Sequence, residues 1–104
     1  MKASNKPLEC LVAWFRSNCD GDWEHQHGIQ IGTLDNPGWY LDVSIEDTPQ
    51  AGSIIPRKLV ERTTTDWVAV EVKDNMFRAH GGPDNLSELI DLFAAFVEGR
   101  LKPE

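Results

Sequence analysis

The sequence predicts an α+β fold in two layers, with an N-terminal helix and a C-terminal helix packed on an antiparallel sheet of four or five strands. Apolar residues recur at helical spacing near both ends of the chain, whereas in the middle they alternate with polar residues, as in half-buried strands. Short turn motifs separate the alternating stretches, so strands adjacent in sequence are expected to be adjacent in the sheet. Two apolar helix faces and one apolar sheet face then enclose one core.

Apolar stripes and helix-end residues predict the two helices. The first is expected over about residues 7–18, with Ser4 or Asn5 as its N-terminal cap. The second is expected over about residues 85–98, where Asn85 and Glu88 have the spacing of a capping box and Gly99 suits a left-handed C-terminal residue. The stripes consist of Leu8, Leu11, Val12, Phe15 and Cys19 in the first helix and of Leu86, Leu89, Ile90, Phe93, Phe96 and Val97 in the second.

Alternating segments predict strands over about residues 29–34, 39–46, 57–63, 68–73 and 76–80. Pro37 and Gly38 predict a type II turn after the first strand, with Gly38 at positive φ. Residues 47–56 contain two prolines and a glycine and are predicted to form a loop. The pair at residues 74 and 75 predicts a tight turn. Alternation along the second strand places Asp42, Ser44 and Glu46 on the sheet face that points away from the core.

The charge is concentrated in one part of the chain. The 104 residues, which we expect to form a single domain over 1–104, contain 17 acidic and 10 basic residues, for a net charge of −7. Residues 17–56, which we call the acidic segment, contain seven of the acids and no Lys or Arg. Such a segment repels nucleic acid and anionic membranes and favours a basic partner. It is equally typical of the solvated face of an acidic protein.

Hydropathy and the number of cysteines indicate the cellular compartment of the protein. No apolar run approaches the roughly 18 residues that a transmembrane helix needs. The N-terminal residues also lack the apolar stretch and cleavage site of a signal peptide. Two cysteines, Cys10 and Cys19, are too few for a disulfide framework. We therefore expect a reduced, cytoplasmic protein.

The stretch Cys19–Gly28 is rich in residue types that bind metals. Its three acids have the alternate spacing that begins a calcium loop, but the sixth and twelfth positions, His25 and Ile31, are not the glycine and glutamate that such a loop needs. Zinc could use His25, His27 and Cys19, but one short loop seldom supplies four tetrahedral ligands. A turn stabilised by Asx hydrogen bonds is favoured instead. We predict no catalytic residue, no metal and no cofactor.

Several longer runs resemble a known family. Cys19-Asp-Gly-Asp-Trp-Glu-His-Gln-His-Gly-Ile29 and Thr33-Leu-Asp-Asn-Pro-Gly-Trp39 resemble the signature of the immunity protein 53 family, and the later Asp66-Trp67 and Gly81-Gly-Pro-Asp-Asn-Leu86 resemble its C-terminal half. The resemblance covers about residues 8–97. It implies a small α+β bacterial protein that neutralises a cognate toxin domain of a polymorphic toxin system, encoded beside it. Some relatives carry a rhodanese-like sulfurtransferase label, which this sequence argues against because neither cysteine lies in a strand-to-helix loop.

The leading hypothesis is a non-enzymatic protein that binds a basic toxin domain and has no nucleic-acid or membrane partner of its own. The hypothesis places the contact in the substrate groove of a nuclease. Trp23 is expected to be either an interface anchor or a core residue. The rival hypothesis is a small metal-binding or thiol-dependent enzyme centred on Cys19–Gly28. The predicted toxin-binding residues are Asp20, Asp22, Trp23, Glu24, Asp35, Asp42 and Glu46.

Overall fold

The computed structural model describes residues 6–101, in which three helices and five strands follow the order helix, sheet, helix. The predicted α+β class is confirmed. The short second helix was not predicted, and the proposed caps Ser4 and Asn5 lie outside the described residues. The elements are α1 Lys6–Asn18, α2 Trp23–Gln26, β1 Ile29–Leu34, β2 Gly38–Ser44, β3 Ile55–Glu61, β4 Trp67–Lys73, β5 Met76–Gly81 and α3 Leu86–Val97.

The five strands form one antiparallel sheet in the order β1-β2-β5-β4-β3. The prediction that sequence neighbours are sheet neighbours is wrong for β2 and β3, because β5 and β4 lie between them. The connection from Ile45 to Ile54 is long enough to cross the end of the sheet. It is held there by the N–H of Gly52, which donates to Asn75 Oδ1 in the β4–β5 turn at 2.8 Å. Trp14 Nε1 also donates to Gln50 Oε1 at 2.7 Å, which fastens the connection to α1.

α3 packs on one face of the sheet, and α1 packs against α3. Phe93 of α3 is fully buried and packs edge-on against Trp14 of α1 and Phe77 of β5, at ring-centroid distances of 5.0 and 5.1 Å. The predicted burial of Phe93 and Phe96 is confirmed. The stripe predicted for α1 is partly wrong: Leu11 is buried as predicted, but Leu8 and Val12 are exposed. Trp14, which the predicted stripe did not include, is buried. We call the opposite side of the sheet, which α3 does not cover, the open face.

Turn geometry differs from the prediction at one glycine. Gly38 does not have positive φ; it starts β2 and pairs with Leu34, after a cis Asn36–Pro37 peptide bond. Glycine is needed there for another reason, since a Cβ at this position would lie 2.2 Å from the carbonyl oxygen of Gly81. The tight turn at residues 74 and 75 is confirmed, with φ of 53° and 58°, and so is Gly99 at φ 77°.

The start of α3 is anchored by a polar network rather than by a capping box. Asn85 occupies the N-cap position, but its side chain makes no cap hydrogen bond. Its Nδ2 donates to Asp66 Oδ1 at 3.0 Å and to Glu88 Oε1 at 3.1 Å. Arg62 donates to the same two carboxylates, at 2.9 and 2.6 Å. The side chain of Asn85 therefore ties the β3–β4 turn to the helix.

Candidate functional site

The turn that precedes β1 is built by its own carboxylates. Asp20 Oδ1 accepts hydrogen bonds from the N–H groups of Asp22 and Trp23, both at 2.9 Å. The carboxylate of Glu24 reaches back and accepts from the N–H groups of Asp20 at 2.9 Å and Gly21 at 2.8 Å. This arrangement confirms the predicted Asx-stabilised turn. The Glu24 carboxylate therefore stabilises the turn and points towards the backbone of the turn rather than towards a partner.

These bonds stabilise the ionised carboxylates. The N–H groups of Trp23 and Asp22 hold the pKa of Asp20 below its usual range. The N–H of Glu24 itself, followed by those of Asp20 and Gly21, lowers the pKa of the Glu24 carboxyl. Both groups are therefore charged at neutral pH.

Trp23 lies in the core and not on the surface. Its side chain is 5% exposed and packs edge-on against Trp14 and Phe15, with ring centroids 5.8 and 5.9 Å apart. Its Nε1 donates to the carbonyl oxygen of Glu46 at 2.9 Å. Of the two roles expected for Trp23, the structure therefore favours the core, where the ring positions the turn against the end of β2.

Four exposed carboxylates gather at this end of the sheet. Asp20, Asp22 and Asp47 line a hollow of about 300 Å³ together with Gln26 and His27. Glu46 lies beside it, since its carboxylate and that of Asp47 approach the imidazole of His27 with all ligand atoms within 4.8 Å of one another. Sequence reasoning had left Asp47 out of the site, although its position directly after Glu46 in the acidic segment was a usable signal. We call the four carboxylates the acidic cluster: Asp20, Asp22, Glu46 and Asp47.

A second hollow, of about 550 Å³, opens on the open face and shares His27 with the first. Asp42 lies in it, between Gln30 of β1 and Arg78 of β5 in the strand register. Its Oδ1 is buried without a hydrogen-bond partner among the described residues. The sequence analysis did not include Arg78 in the site, because Arg78 lies beside Asp42 only as a result of the pairing of β2 with β5. The open face thus carries both an acidic and a basic side chain. Of the three residues predicted to point away from the core on the second strand, only Asp42 and Ser44 lie on this face, since β2 ends before Glu46.

Asp35 lies apart from the other predicted residues. It is exposed in the turn after β1, whereas the Asp20–Glu24 turn lies before β1. The six residues of β1 span about 20 Å. The structure therefore brings Asp20, Asp22 and Glu46 together and leaves Asp35 at the far end of the strand.

Among residues 6–101, one group has the make-up of a metal site: His27, Glu46 and Asp47. Ser44 Oγ lies 3.0 Å from Nδ1 of His27 and orients its ring. Cys19 and His25, which the sequence had offered as zinc ligands, do not belong to this group.

The thiols have no activating surroundings. Cys10 and Cys19 are free and half-buried. Burial, followed by the charge of Glu98, raises the pKa of the Cys10 thiol. Burial, followed by the charges of Glu24 and Asp20, raises that of Cys19. Both thiols therefore remain protonated at neutral pH, which is the opposite of what a nucleophile requires.

Comparison with known proteins identifies the family. None of the helices in the described part of the chain is long and apolar enough to cross a membrane. Searches among curated proteins and among solved structures found no match. The model of one family, immunity protein 53, matches residues 8–98. The match covers most of the chain and includes the turn, the acidic cluster and the open face. The chain therefore belongs to the immunity protein 53 family, whose members inhibit toxins and are not enzymes.

Proposed function

We propose that this protein neutralises its cognate toxin in the cytoplasm by binding a basic surface of the toxin with the acidic cluster. One observation carries the proposal: three exposed carboxylates line one hollow, a fourth lies beside it, and the segment that supplies all four contains no Lys or Arg. Among residues 6–101, none of the four carboxylates forms an ion pair with Lys or Arg. Family membership supplies the toxin as the class of partner.

The charge distribution favours a toxin whose own ligand is anionic. A groove that holds phosphates is lined by Lys and Arg, which attract carboxylates and accelerate association. The substrate groove of a nuclease is therefore the surface that fits the acidic cluster best. Asp42, in the adjoining hollow, extends the contact onto the open face.

The other predicted residues take supporting roles in this proposal. Glu24 and Trp23 hold the turn and the end of β2 in place, which fixes the spacing of the exposed carboxylates. Asp35 lies at the far end of β1 and adds negative charge at the periphery.

Growth rescue tests the proposal. The toxin domain encoded beside the immunity gene is co-expressed with wild-type protein, with Asp22→Lys/Glu46→Lys, and with Glu61→Lys/Asp91→Lys. The first double variant reverses two exposed carboxylates of the acidic cluster, neither of which forms a side-chain hydrogen bond within residues 6–101. The second makes the same change in net charge outside the acidic segment. Protection and co-purification should fail only for the first. Full protection by the first variant, with its fold retained, would place the interface elsewhere.

A second candidate function, metal binding, has one observation in its favour, which is the convergence of His27, Glu46 and Asp47. One imidazole and two carboxylates suit a divalent transition metal. Metal analysis of purified protein before and after chelator separates the two functions. Toxin binding that survives the chelator supports the acidic cluster acting as charge. Stoichiometric metal whose removal abolishes binding would favour the metal.

A further inference from the structure

The two edge strands of the sheet are protected very differently. Exposed edges usually carry proline, charge or a bulge, because their unpaired backbone groups can pair with another chain. β3 has all three: Pro56, the basic residues Arg57 and Lys58, and a register irregularity between Ile55 and Lys58. β1, with the sequence Ile-Gln-Ile-Gly-Thr-Leu, has no charge, no proline and a regular register.

The backbone groups on the free edge of β1 can be identified residue by residue. Ser44 N–H donates to the carbonyl oxygen of Gly28, so this pair is a hydrogen-bonded one. Bonded and non-bonded pairs alternate along an antiparallel ladder. The N–H and C=O groups of Ile29, Ile31 and Thr33 therefore point away from β2. Within residues 6–101, no strand pairs with that side and no recorded hydrogen bond reaches it.

Acidic residues stand at both ends of this uncharged edge. The Asp20–Glu24 turn lies before β1, and Asp35 follows it directly. A second copy pairing antiparallel along β1 would bring Asp35 of one chain towards the acidic turn of the other, which like charges disfavour. An extended segment with a basic residue near each end, about 20 Å apart, has the complementary charges.

We propose that β1 is the docking edge for the toxin: an extended toxin segment, flanked by basic residues, adds to the sheet as a sixth strand beside β1. The inference rests on the proposed function and gives its contact a form. Main-chain hydrogen bonds at Ile29, Ile31 and Thr33 supply the affinity, as in other cases of strand addition. The acidic turn and Asp35 set the register. Asp35, which lies outside the acidic cluster, thereby gains a more specific role than that of peripheral charge.

Amide hydrogen exchange on the complex with catalytically inactive toxin tests the edge directly. In free protein, the N–H groups of Ile29, Ile31 and Thr33 should exchange fast, because they face solvent. In the complex they should exchange at least about tenfold more slowly. The outward N–H groups of Leu59 and Glu61 on the opposite edge should be unchanged. Equal rates at Ile29, Ile31 and Thr33 with and without toxin would overturn the inference.

Proline substitution supplies a matched pair of variants. Ile31→Pro removes an outward donor, which an edge strand tolerates, and should weaken toxin binding by at least about tenfold. Leu59→Pro does the same on β3, at a residue of similar exposure (50%, against 45% for Ile31), and should leave binding unchanged. If Ile31→Pro fails to fold, the exchange rates decide alone.

The outcomes separate the inference from the proposed function. Toxin binding that is lost in Asp22→Lys/Glu46→Lys but unaffected in a folded Ile31→Pro variant would overturn strand addition and leave the acidic cluster standing. No binding of toxin by wild-type protein would overturn both. A dimer in sedimentation that Ile31→Pro dissociates would assign the edge to a second copy and overturn the toxin as its occupant.

Discussion

Phe93 shows at the scale of a single residue how the core is held together. Its ring is fully buried and meets aromatic rings from α1, β5 and its own helix. Removing it would leave a cavity that the helices and the sheet, each held by other contacts, cannot close. Such truncations lose both the transfer free energy and the packing of the surrounding atoms.

Phe93→Ala should lower the free energy of unfolding by about 3–5 kcal/mol. Urea denaturation monitored by far-ultraviolet circular dichroism measures the change. The control is Ile54→Ala, because Ile54 is 68% exposed and its truncation should change stability by less than about 0.5 kcal/mol. A loss below about 1 kcal/mol for Phe93→Ala would contradict the burial of the ring.

Both cysteines should be dispensable for function. Their thiols have raised pKa values and lie outside the acidic cluster. Cys10→Ser and Cys19→Ser should therefore protect cells against the toxin as well as wild type does. In Cys19→Ser the hydroxyl can keep the hydrogen bond that Sγ donates to the carbonyl oxygen of Phe15 at 3.2 Å. A Cys19→Ser variant that unfolds at the wild-type temperature but no longer protects would revive a thiol mechanism.

At the scale of elements, the turn before β1 owes its geometry to ionised carboxylates. Asp20 and Glu24 have lowered pKa values, so their contribution to stability is present above the ordinary carboxyl range and is lost as pH falls through the lowered values. The turn should therefore be intact at neutral pH and should loosen only when the pH falls below the ordinary carboxyl range.

The amide resonances of Asp22 and Trp23 should report this loss in an NMR titration from pH 7 to pH 2. Their N–H groups donate to Asp20 Oδ1, so their shifts should move with a midpoint below the ordinary pKa of an aspartate. Asp20→Asn, which keeps an acceptor but cannot ionise, should remove that movement. A midpoint above the ordinary aspartate value would mean that the hydrogen bonds do not favour the charged form.

At the scale of the whole molecule, the uneven distribution of charge along the chain matters more for partner binding than the net charge. The acidic segment carries all of the net charge of −7, because the rest of the chain has equal numbers of acids and bases. A field of this kind steers a basic partner towards one end of the sheet during diffusion. The effect acts mainly on the association rate and weakens as salt screens it.

The association rate of wild-type protein with inactive toxin should therefore fall as ionic strength rises. Asp22→Lys/Glu46→Lys should associate about tenfold more slowly at low salt and with a flatter salt dependence. Glu61→Lys/Asp91→Lys, with the same change in net charge, should stay closer to wild type. Stopped-flow fluorescence measures all three rates. A wild-type rate that does not depend on salt would rule out electrostatic steering.

The sequence by itself determined the class of fold, the acidic segment and the family. Periodicity shows which face of each helix and strand is apolar, because side chains repeat every 3.6 residues in a helix and every two in a strand. The helix stripe that contains Phe93 and the alternation along β2 were therefore visible without any structure. So was the lack of any Lys or Arg between residues 17 and 56.

Only the tertiary structure decided which strands pair and which side chains meet. Periodicity carries no information on partners: the long β2–β3 connection allowed β5 to insert beside β2, which placed Arg78 next to Asp42. The burial of Trp23 likewise depends on α1, the element that covers the turn. The unprotected edge of β1 became visible only when the sheet order made β1 an edge strand. Strand order is set by the packing of the whole chain and by loop closure, which no local pattern encodes.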